Sequence, residues 1–193
     1  TETAPDTNGC TGTMRDTIVV NPTSGNWIAG DESISPSSPV PACGTLTATG
    51  SFTWLSFDPF PNDNHQITLS YDLPASLDVG SGTPALVDLA NPPVAIPGTI
   101  FTQTATGWDC TFVPGTIFAP GTKFNFVISG LEIQDTPSLT GQNVTHSIGF
   151  GIAPPLNEIP SDNSKTIAFD TEAIPTVVAS ATDTVVCLGD SIT

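Results

Sequence analysis

Two histidines, His65 and His146, are the side chains of this sequence best suited to acid–base chemistry near neutral pH. His65 lies in a polar stretch, and His146 lies at the start of a predicted strand. Neither lies in a recognised catalytic motif, so we expect both imidazoles to be solvated or satisfied by hydrogen bonds. On these residues we predict that the chain is not an enzyme.

An oxygen-rich turn supplies the candidate ligands for a metal ion. Its side chains are Asp58, Asn62, Asp63 and Asn64. Hard cations such as calcium prefer sites built only from oxygen. The spacing matches no EF-hand, and turns rich in Asp and Asn are common without a metal. We therefore predict a weak calcium candidate here, a weaker one at Asp31 and Glu32, and no other cofactor.

The chain has four cysteines, widely spaced and without a C-x-x-C pair: Cys10, Cys43, Cys110 and Cys187. With only two histidines to help, a structural zinc site is disfavoured. Two disulfides are typical of an exported protein, and three pairings are open. We favour Cys10–Cys43 with Cys110–Cys187, because the first bridge would staple an N-terminal segment that has little core of its own. The alternative is free, buried thiols.

The three basic residues are Arg15, Lys123 and Lys165, against 19 acidic ones, and the formal net charge is −16. So few cations cannot neutralise phosphates, which excludes nucleic acid as a partner and disfavours anionic lipid. No apolar run approaches the roughly 18 residues of a membrane helix. The two lysines could form isopeptide bonds, but each is the first residue of a predicted strand. We therefore expect their side chains to extend into water.

The sequence around these residues favours strands and provides almost no helical signal. Residues 107–128 predict a strand, a Pro-Gly turn, a short strand, a second Pro-Gly turn and a long alternating strand. A similar pattern of short strands and turns elsewhere in the sequence predicts an all-β protein. The predicted architecture is an antiparallel β-sandwich with Greek-key connections and long loops. The predicted strands are Thr17–Val20, Gly44–Phe57, Gln66–Tyr71, Ala85–Leu89, Ile100–Thr104, Trp108–Val113, Lys123–Leu131, His146–Ile152, Lys165–Asp170 and Thr184–Leu188.

Two regions follow from this pattern. Residues 1–41 predict an N-terminal extension with one strand, Thr17–Val20, which must be stapled to the main sheet or added to it, because a single strand is not stable alone. Residues 42–193 predict the sandwich domain. A second, small β-domain after about residue 135 is the alternative.

The middle of the chain resembles the Ig-like conserved repeat of large bacterial cell-surface and adhesin proteins. The motifs are Asp72–Val79 for D-x-L-P-x-x-L, one residue short in its spacing, Gly107–Cys110 for G-W-x-C, and Phe118–Gly121 for L-A-P-G. They cover roughly residues 65–131. The second cysteine of that family is missing, so Cys110 would pair elsewhere or stay free. The resemblance implies an Ig-like sandwich without enzymatic activity.

The C-terminal residues 185–193 are similar to the first strand of an Ig-like repeat of the form V-x-C-x-G-D-S-x-T. Their Gly189–Ile192 also resembles the G-D-S-[LI] block of an esterase family. That family needs a D-x-x-H block downstream to activate the serine, and only two residues follow Ser191. We therefore prefer the repeat-like interpretation.

The resemblance implies a secreted, cell-surface protein, and we predict a structural or adhesive subunit of a surface fibre, pilus-like filament or adhesin stalk. Its partners would be further copies or repeats, joined by strand addition. The candidate strands are Thr17, Ile18, Val19 and Val20, and Val185, Val186, Cys187 and Leu188. The alternative is a secreted carbohydrate- or protein-binding sandwich, either with or without a requirement for calcium. Asn143 begins an N-glycosylation sequon, whose use stays open.

Overall fold

The structure is a computed structural model that describes residues 2–5, 11–14, 24–89, 94–96, 98–134 and 138–172, with the backbone alone for 2–5, 11–14 and 94–95. These ranges contain strands and three very short helical turns, which confirms the all-β class. The strands are β1 (Glu2–Pro5), β2 (Thr11–Met14), β3 (Asn26–Ser35), β4 (Thr45–Leu55), β5 (Phe60–Pro61), β6 (Ile67–Asp72), β7 (Leu77–Asp78), β8 (Thr83–Asp88), β9 (Val94–Ala95), β10 (Thr99–Gln103), β11 (Gly107–Phe112), β12 (Ile117–Phe118), β13 (Lys123–Ile133), β14 (Gln142–Phe150) and β15 (Ser164–Phe169). The helical turns are α1 (Asn62–His65) and the 3₁₀ turns Val79–Ser81 and Pro160–Asp162.

Two antiparallel sheets hold most of these strands. The six-stranded sheet has the order β3-β4-β13-β8-β9, with β7 paired to β13, and the five-stranded sheet has the order β10-β11-β6-β14-β15. The eight strands predicted between residues 44 and 170 are all found, with their ends shifted by a few residues. The alternation that predicts β13 is also what buries it, since Phe124, Phe126 and Ile128 turn inward.

The two sheets face each other across one core. Tyr71 of β6 and Phe126 of β13 lie with ring centroids 5.0 Å apart, and the Tyr71 hydroxyl donates to the carbonyl oxygen of Phe126 at 3.2 Å. Phe101 of β10 stacks on the same Phe126 at 5.8 Å. The buried side chains of both sheets belong to a single hydrophobic cluster. The Greek-key connectivity and the Ig-like type stay predictions.

Strand β3 was not predicted, because its central Gly30–Asp31 has the composition of a turn. It pairs with β4, and its register shifts at a bulge between Ala29 and Glu32. The six-stranded sheet therefore includes residues on both sides of the predicted boundary at residue 41. Likewise, β14 pairs with β6 across the alternative boundary near residue 135. The predicted strands Thr17–Val20 and Thr184–Leu188 lie outside the described residues.

The two predicted disulfides, Cys10–Cys43 and Cys110–Cys187, are not found. Cys43 is exposed and Cys110 is buried, both as free thiols, while Cys10 and Cys187 lie outside the described residues. The alternation of β11 turns Cys110 into the core between the sheets, where burial raises the pKa of its thiol to about 12. Cys110 therefore packs as a small apolar side chain.

No helix in the described ranges is long and apolar enough to cross a membrane.

Candidate functional site

The edge at which the two sheets meet brings several buried polar groups together. Here β3, at one end of the six-stranded sheet, lies against β15, at one end of the five-stranded sheet. Parallel bridges join Ser24 to Leu156 and Val40 to Thr171. We call this arrangement of residues 24–40 with residues 156–172 the seam. Because both bridges are parallel, the two segments run in the same direction along it.

The first end of the seam is held by backbone and side-chain hydrogen bonds. The Gly25 amide donates to the carbonyl oxygen of Leu156 at 2.9 Å. The Asn26 side chain accepts from the Ile159 amide at 2.8 Å and donates to the Asp162 carboxylate at 2.8 Å. One asparagine thus ties β3 to the loop before β15 with two bonds.

Glu158 adds a buried carboxylate to this end. Its Oε2 accepts from the Trp27 amide at 3.0 Å, while its Oε1 is buried without a hydrogen-bond partner among the described residues. Burial is the main cause that raises the pKa of Glu158, the nearby Asp162 also raises it, and the bond from the Trp27 amide and the proximity of Asn163 lower it, so that the pKa is about 7. The carboxylate therefore titrates near neutral pH.

This shift predicts that Glu158 makes the protein less stable at neutral pH than in mild acid. Its pKa is raised from 4.5 to about 7, so between these values the folded state binds more protons than the unfolded state. The stability that Glu158 contributes is complete below pH 4.5 and is lost as the pH rises through about 7. Glu158→Gln cannot titrate, so the fall in melting temperature between pH 5 and pH 8 should be smaller in this variant.

Calorimetry of both proteins across that pH range measures the difference, and Glu172→Gln, which changes an exposed glutamate, is the matched control. Equal pH dependence in the Glu158→Gln variant and the wild type would contradict the assignment.

Beside the middle of the seam, a buried pair of Glu32 and His146 joins β3 to β14. His146 Nδ1 of β14 lies 3.0 Å from Glu32 Oε2 of β3, and the two side chains are 0% and 2% exposed. The pair therefore links the two sheets inside the core. Burial raises the pKa of Glu32, and its contacts with His146 oppose that shift. The remaining side-chain atoms, Glu32 Oε1 and His146 Nε2, have no hydrogen-bond partner among the described residues.

The space for this pair comes from a glycine and two aromatic rings. Gly50 of β4 lies directly opposite Glu32 in the ladder, and a Cβ at position 50 would come within 2.5 Å of His146 Cγ. Phe52 meets the imidazole edge to face at 5.0 Å, and Tyr71 lies 6.0 Å away. Burial, and then the charge of Glu32, also raise the pKa of Tyr71. The ring of His146 is therefore fixed from several sides.

The second end of the seam is a short hydrogen-bonded ladder. The Val40 amide donates to the carbonyl oxygen of Asp170 at 2.8 Å, and the Glu172 amide donates back to the carbonyl oxygen of Val40 at 2.9 Å. The Asp170 amide also donates to Ser38 Oγ at 3.0 Å. Hydrogen bonds therefore join the two segments at both ends of the seam, and the Glu32–His146 pair lies between these ends.

Both histidines lie in the protein interior, where Nδ1 of each has a hydrogen-bond partner within the protein rather than solvent. His146 is paired with Glu32, a residue that the sequence suggested only as a weak calcium ligand. His65 stacks on Phe60 at 4.9 Å, and its Nδ1 lies 2.7 Å from the carbonyl oxygen of Ala153. The inward alternation of Glu32 with Ile34 is the sequence signal that could have identified the partner of His146.

Two of the candidate calcium ligands, Asn62 and Asp63, accept hydrogen bonds from backbone amides of the protein. Asn62 Oδ1 accepts from the Ile67 amide at 3.0 Å, and both Asp63 oxygens accept from the Gly115 amide, at 3.0 and 2.9 Å. Asp58 and Asn64 are exposed. Across the described part of the chain, no three His, Cys, Asp or Glu side chains are grouped to hold a metal. A calcium ion at this turn stays a prediction.

The other candidate residues lie apart from the seam's interior. Lys123 and Lys165 are exposed, as is Asn143 of the sequon. The strand-addition candidates Thr17–Val20 and Val185–Leu188 lie outside the described residues.

Comparisons with known proteins find no matching family and no matching curated protein. Among solved structures, the pilus backbone of Streptococcus pneumoniae is similar at 12% identity and a TM-score of 0.42, over 66% of this chain and 32% of that one. The chain thus spans about a third of the pilus protein. A collagen-binding domain of a Staphylococcus aureus adhesin is similar at 8% identity and a TM-score of 0.34, over 81% and 99% of the two chains. AvmM, described as catalysing macrocyclisation in alchivemycin A biosynthesis, is similar at 11% identity and a TM-score of 0.38, over 82% and 93%.

Proposed function

We propose that this chain is a non-catalytic structural or adhesive module of an extracellular fibre, pilus-like filament or stalk, and that its sandwich carries tension along the seam. The observation that carries this proposal is the parallel course of β3 and β15. Residue 24 lies beside residue 156 at one end of the seam, and residue 171 lies beside residue 40 at the other. Residues 24 and 172 therefore lie at opposite ends of the seam.

This path determines how the body would respond to a pulling force. Strand β3, whose ten residues would extend about 33 Å at the usual rise of a strand, lies between these two points. Force applied through residues 24 and 172 would slide β3 along β15. The hydrogen bonds at both ends would be loaded together, in shear, rather than opened one after another.

The composition fits such a role outside a cell. Three basic residues leave few sites for trypsin-like proteases, and the net charge of −16 favours solubility. In the sequence, the predicted strand-addition segments Thr17–Val20 and Val185–Leu188 precede and follow the seam. Head-to-tail joining of copies through such segments is the finer form of the proposal.

The proposal is tested by pulling the full chain between its termini with single-molecule force spectroscopy. Asn26→Ala removes the two hydrogen bonds that tie β3 to the loop before β15, so the unfolding force should fall. Asn64→Ala, the same substitution at an exposed loop position, is the matched control and should keep the wild-type force. An equally low unfolding force in the wild type, Asn26→Ala and Asn64→Ala would contradict the proposal that the seam carries tension.

An exposed aromatic ring favours a second candidate function, a carbohydrate- or protein-binding module. Two other large aromatic side chains, Trp27 and Phe60, are fully buried and cannot make such a contact. Phe57 is instead fully exposed, and with the half-exposed Leu55 it lines an open pocket of about 520 Å³. Exposed aromatic faces of this kind are suited to stacking on a sugar ring or on a partner's apolar side chain.

A further inference from the structure

We infer that β10 is a self-association edge, on which β10 of a second copy of this chain pairs in antiparallel fashion. The contact lies on the five-stranded sheet, at the opposite end from the seam. This inference goes beyond the proposed role of the seam in carrying tension and does not depend on it. The unfolding force is measured on a single chain, whereas pairing is measured between two chains, so either proposal can fail without the other.

The four outer strands of the two sheets differ in how far they are protected from such pairing. Natural sheets block their edges with bulges, charges, short strands or covering segments. Strand β3 has a bulge and the exposed Asp31, and it lies in the seam with β15, which itself carries Lys165. Strand β9 has two residues. These three edges are each protected by at least one device.

Strand β10 has none of these devices. Its five residues, Thr-Ile-Phe-Thr-Gln, include no charge and no proline, and its register with β11 is regular. On its outer side, no described residue pairs with it. An unprotected, regular edge of this length is a template for another strand.

The hydrogen-bond pattern shows which backbone groups are available. The Val113 amide donates to Gly98, and the Thr104 amide donates to Gly107, so the even-numbered positions of this segment are the ones bonded to β11. Because the pattern alternates in an antiparallel ladder, the amide and carbonyl groups of Thr99, Phe101 and Gln103 point to the open side. The edge thus offers three donors and three acceptors.

A second copy is the occupant that this edge fits best. Two copies with a net charge of −16 repel each other over most of their surface, but residues 89–108 contain no Asp, Glu, Lys or Arg. With Phe101 opposite Phe101 and Thr99 opposite Gln103, the two edges can exchange about six hydrogen bonds. Ile100, which is 47% exposed, would then be covered beside Thr102 of the other copy.

Sedimentation equilibrium of the full chain tests the pairing. Gln103→Pro removes an amide that faces the open side and no bond to β11, so the dimer should weaken about tenfold or more, since two hydrogen bonds are lost per dimer. Gln103→Thr keeps the amide and should dimerise like the wild type. A wild type that stays monomeric at all concentrations, or equal dimerisation of both variants, would overturn the inference.

Disulfide trapping tests the register, in a background with Cys10, Cys43 and Cys187 replaced by serine. Ile100 of one copy should face Thr102 of the other at a non-hydrogen-bonded pair, where strands approach most closely. Mixing an Ile100→Cys protein with a Thr102→Cys protein should therefore yield a mixed dimer on oxidation, in excess of either homodimer. Random cross-linking, with homodimers and mixed dimers in statistical proportion, would contradict the proposed register.

Discussion

Replacing Glu32 with alanine should lower the free energy of unfolding by about 3–5 kcal/mol. The substitution leaves the imidazole of His146, which is fully buried, without its partner at Nδ1. Removing one member of a buried pair costs more than the pair itself contributes, because the remaining polar group is desolvated and unpaired. Urea or guanidinium denaturation measures the change.

Asp31→Ala is the matched control for this experiment, because Asp31 is the adjacent acidic residue of β3 and is exposed. It should change the stability by no more than about 0.5 kcal/mol. The double variant Glu32→Leu with His146→Leu should recover much of the loss, since an apolar pair leaves no buried group unsatisfied. A Glu32→Ala protein as stable as Asp31→Ala would show that the pair does not link the sheets.

Replacing Gly50 with alanine should also destabilise the protein strongly, by about 3 kcal/mol, the upper part of the range for an overpacked core. The added Cβ would lie 2.5 Å from Cγ of His146 and 2.7 Å from its Nδ1. The ring cannot move aside without breaking the bond to Glu32 or displacing Phe52. Thermal or chemical denaturation measures this loss.

Gly149 provides the control, because it lies on β14 three residues from His146 and an added Cβ there meets nothing within 4 Å. Gly149→Ala should therefore be close to neutral. If Gly50→Ala were equally neutral, the imidazole of His146 would have room to move. The claim that the Glu32–His146 pair has a fixed position between the sheets would then be wrong.

The sequence predicted the strands whose alternation is local and regular. In β13 and β4 most inward residues are apolar and most outward ones are polar, so a period of two is visible without knowledge of the fold. Strand β3 was missed because its bulge at Gly30–Asp31 interrupts that period. The same bulge places Glu32 opposite Gly50, and so creates the room for the buried pair.

The candidate site could not be predicted, because its contacts are non-local. His146 and Glu32 are separated by 114 positions, and Asn26 and Asp162 by 136. A carboxylate in turn-like sequence looks solvated until the partner strand is known, and the exposed Phe57 cannot be distinguished from the buried Phe60 by residue type. The parallel course of β3 and β15 likewise depends on the arrangement of two sheets, which no single segment encodes.

The most direct test of the proposal that the seam carries tension compares two pulling directions on the same protein. Handles attached through cysteines at positions 24 and 172 load the seam in shear, whereas handles at positions 24 and 157, which lie at the same end, peel it open bond by bond. We expect a clearly higher unfolding force in the first geometry. Equal forces in the two directions would contradict the account, because the resistance of the body would then not lie in the parallel contact of β3 with β15.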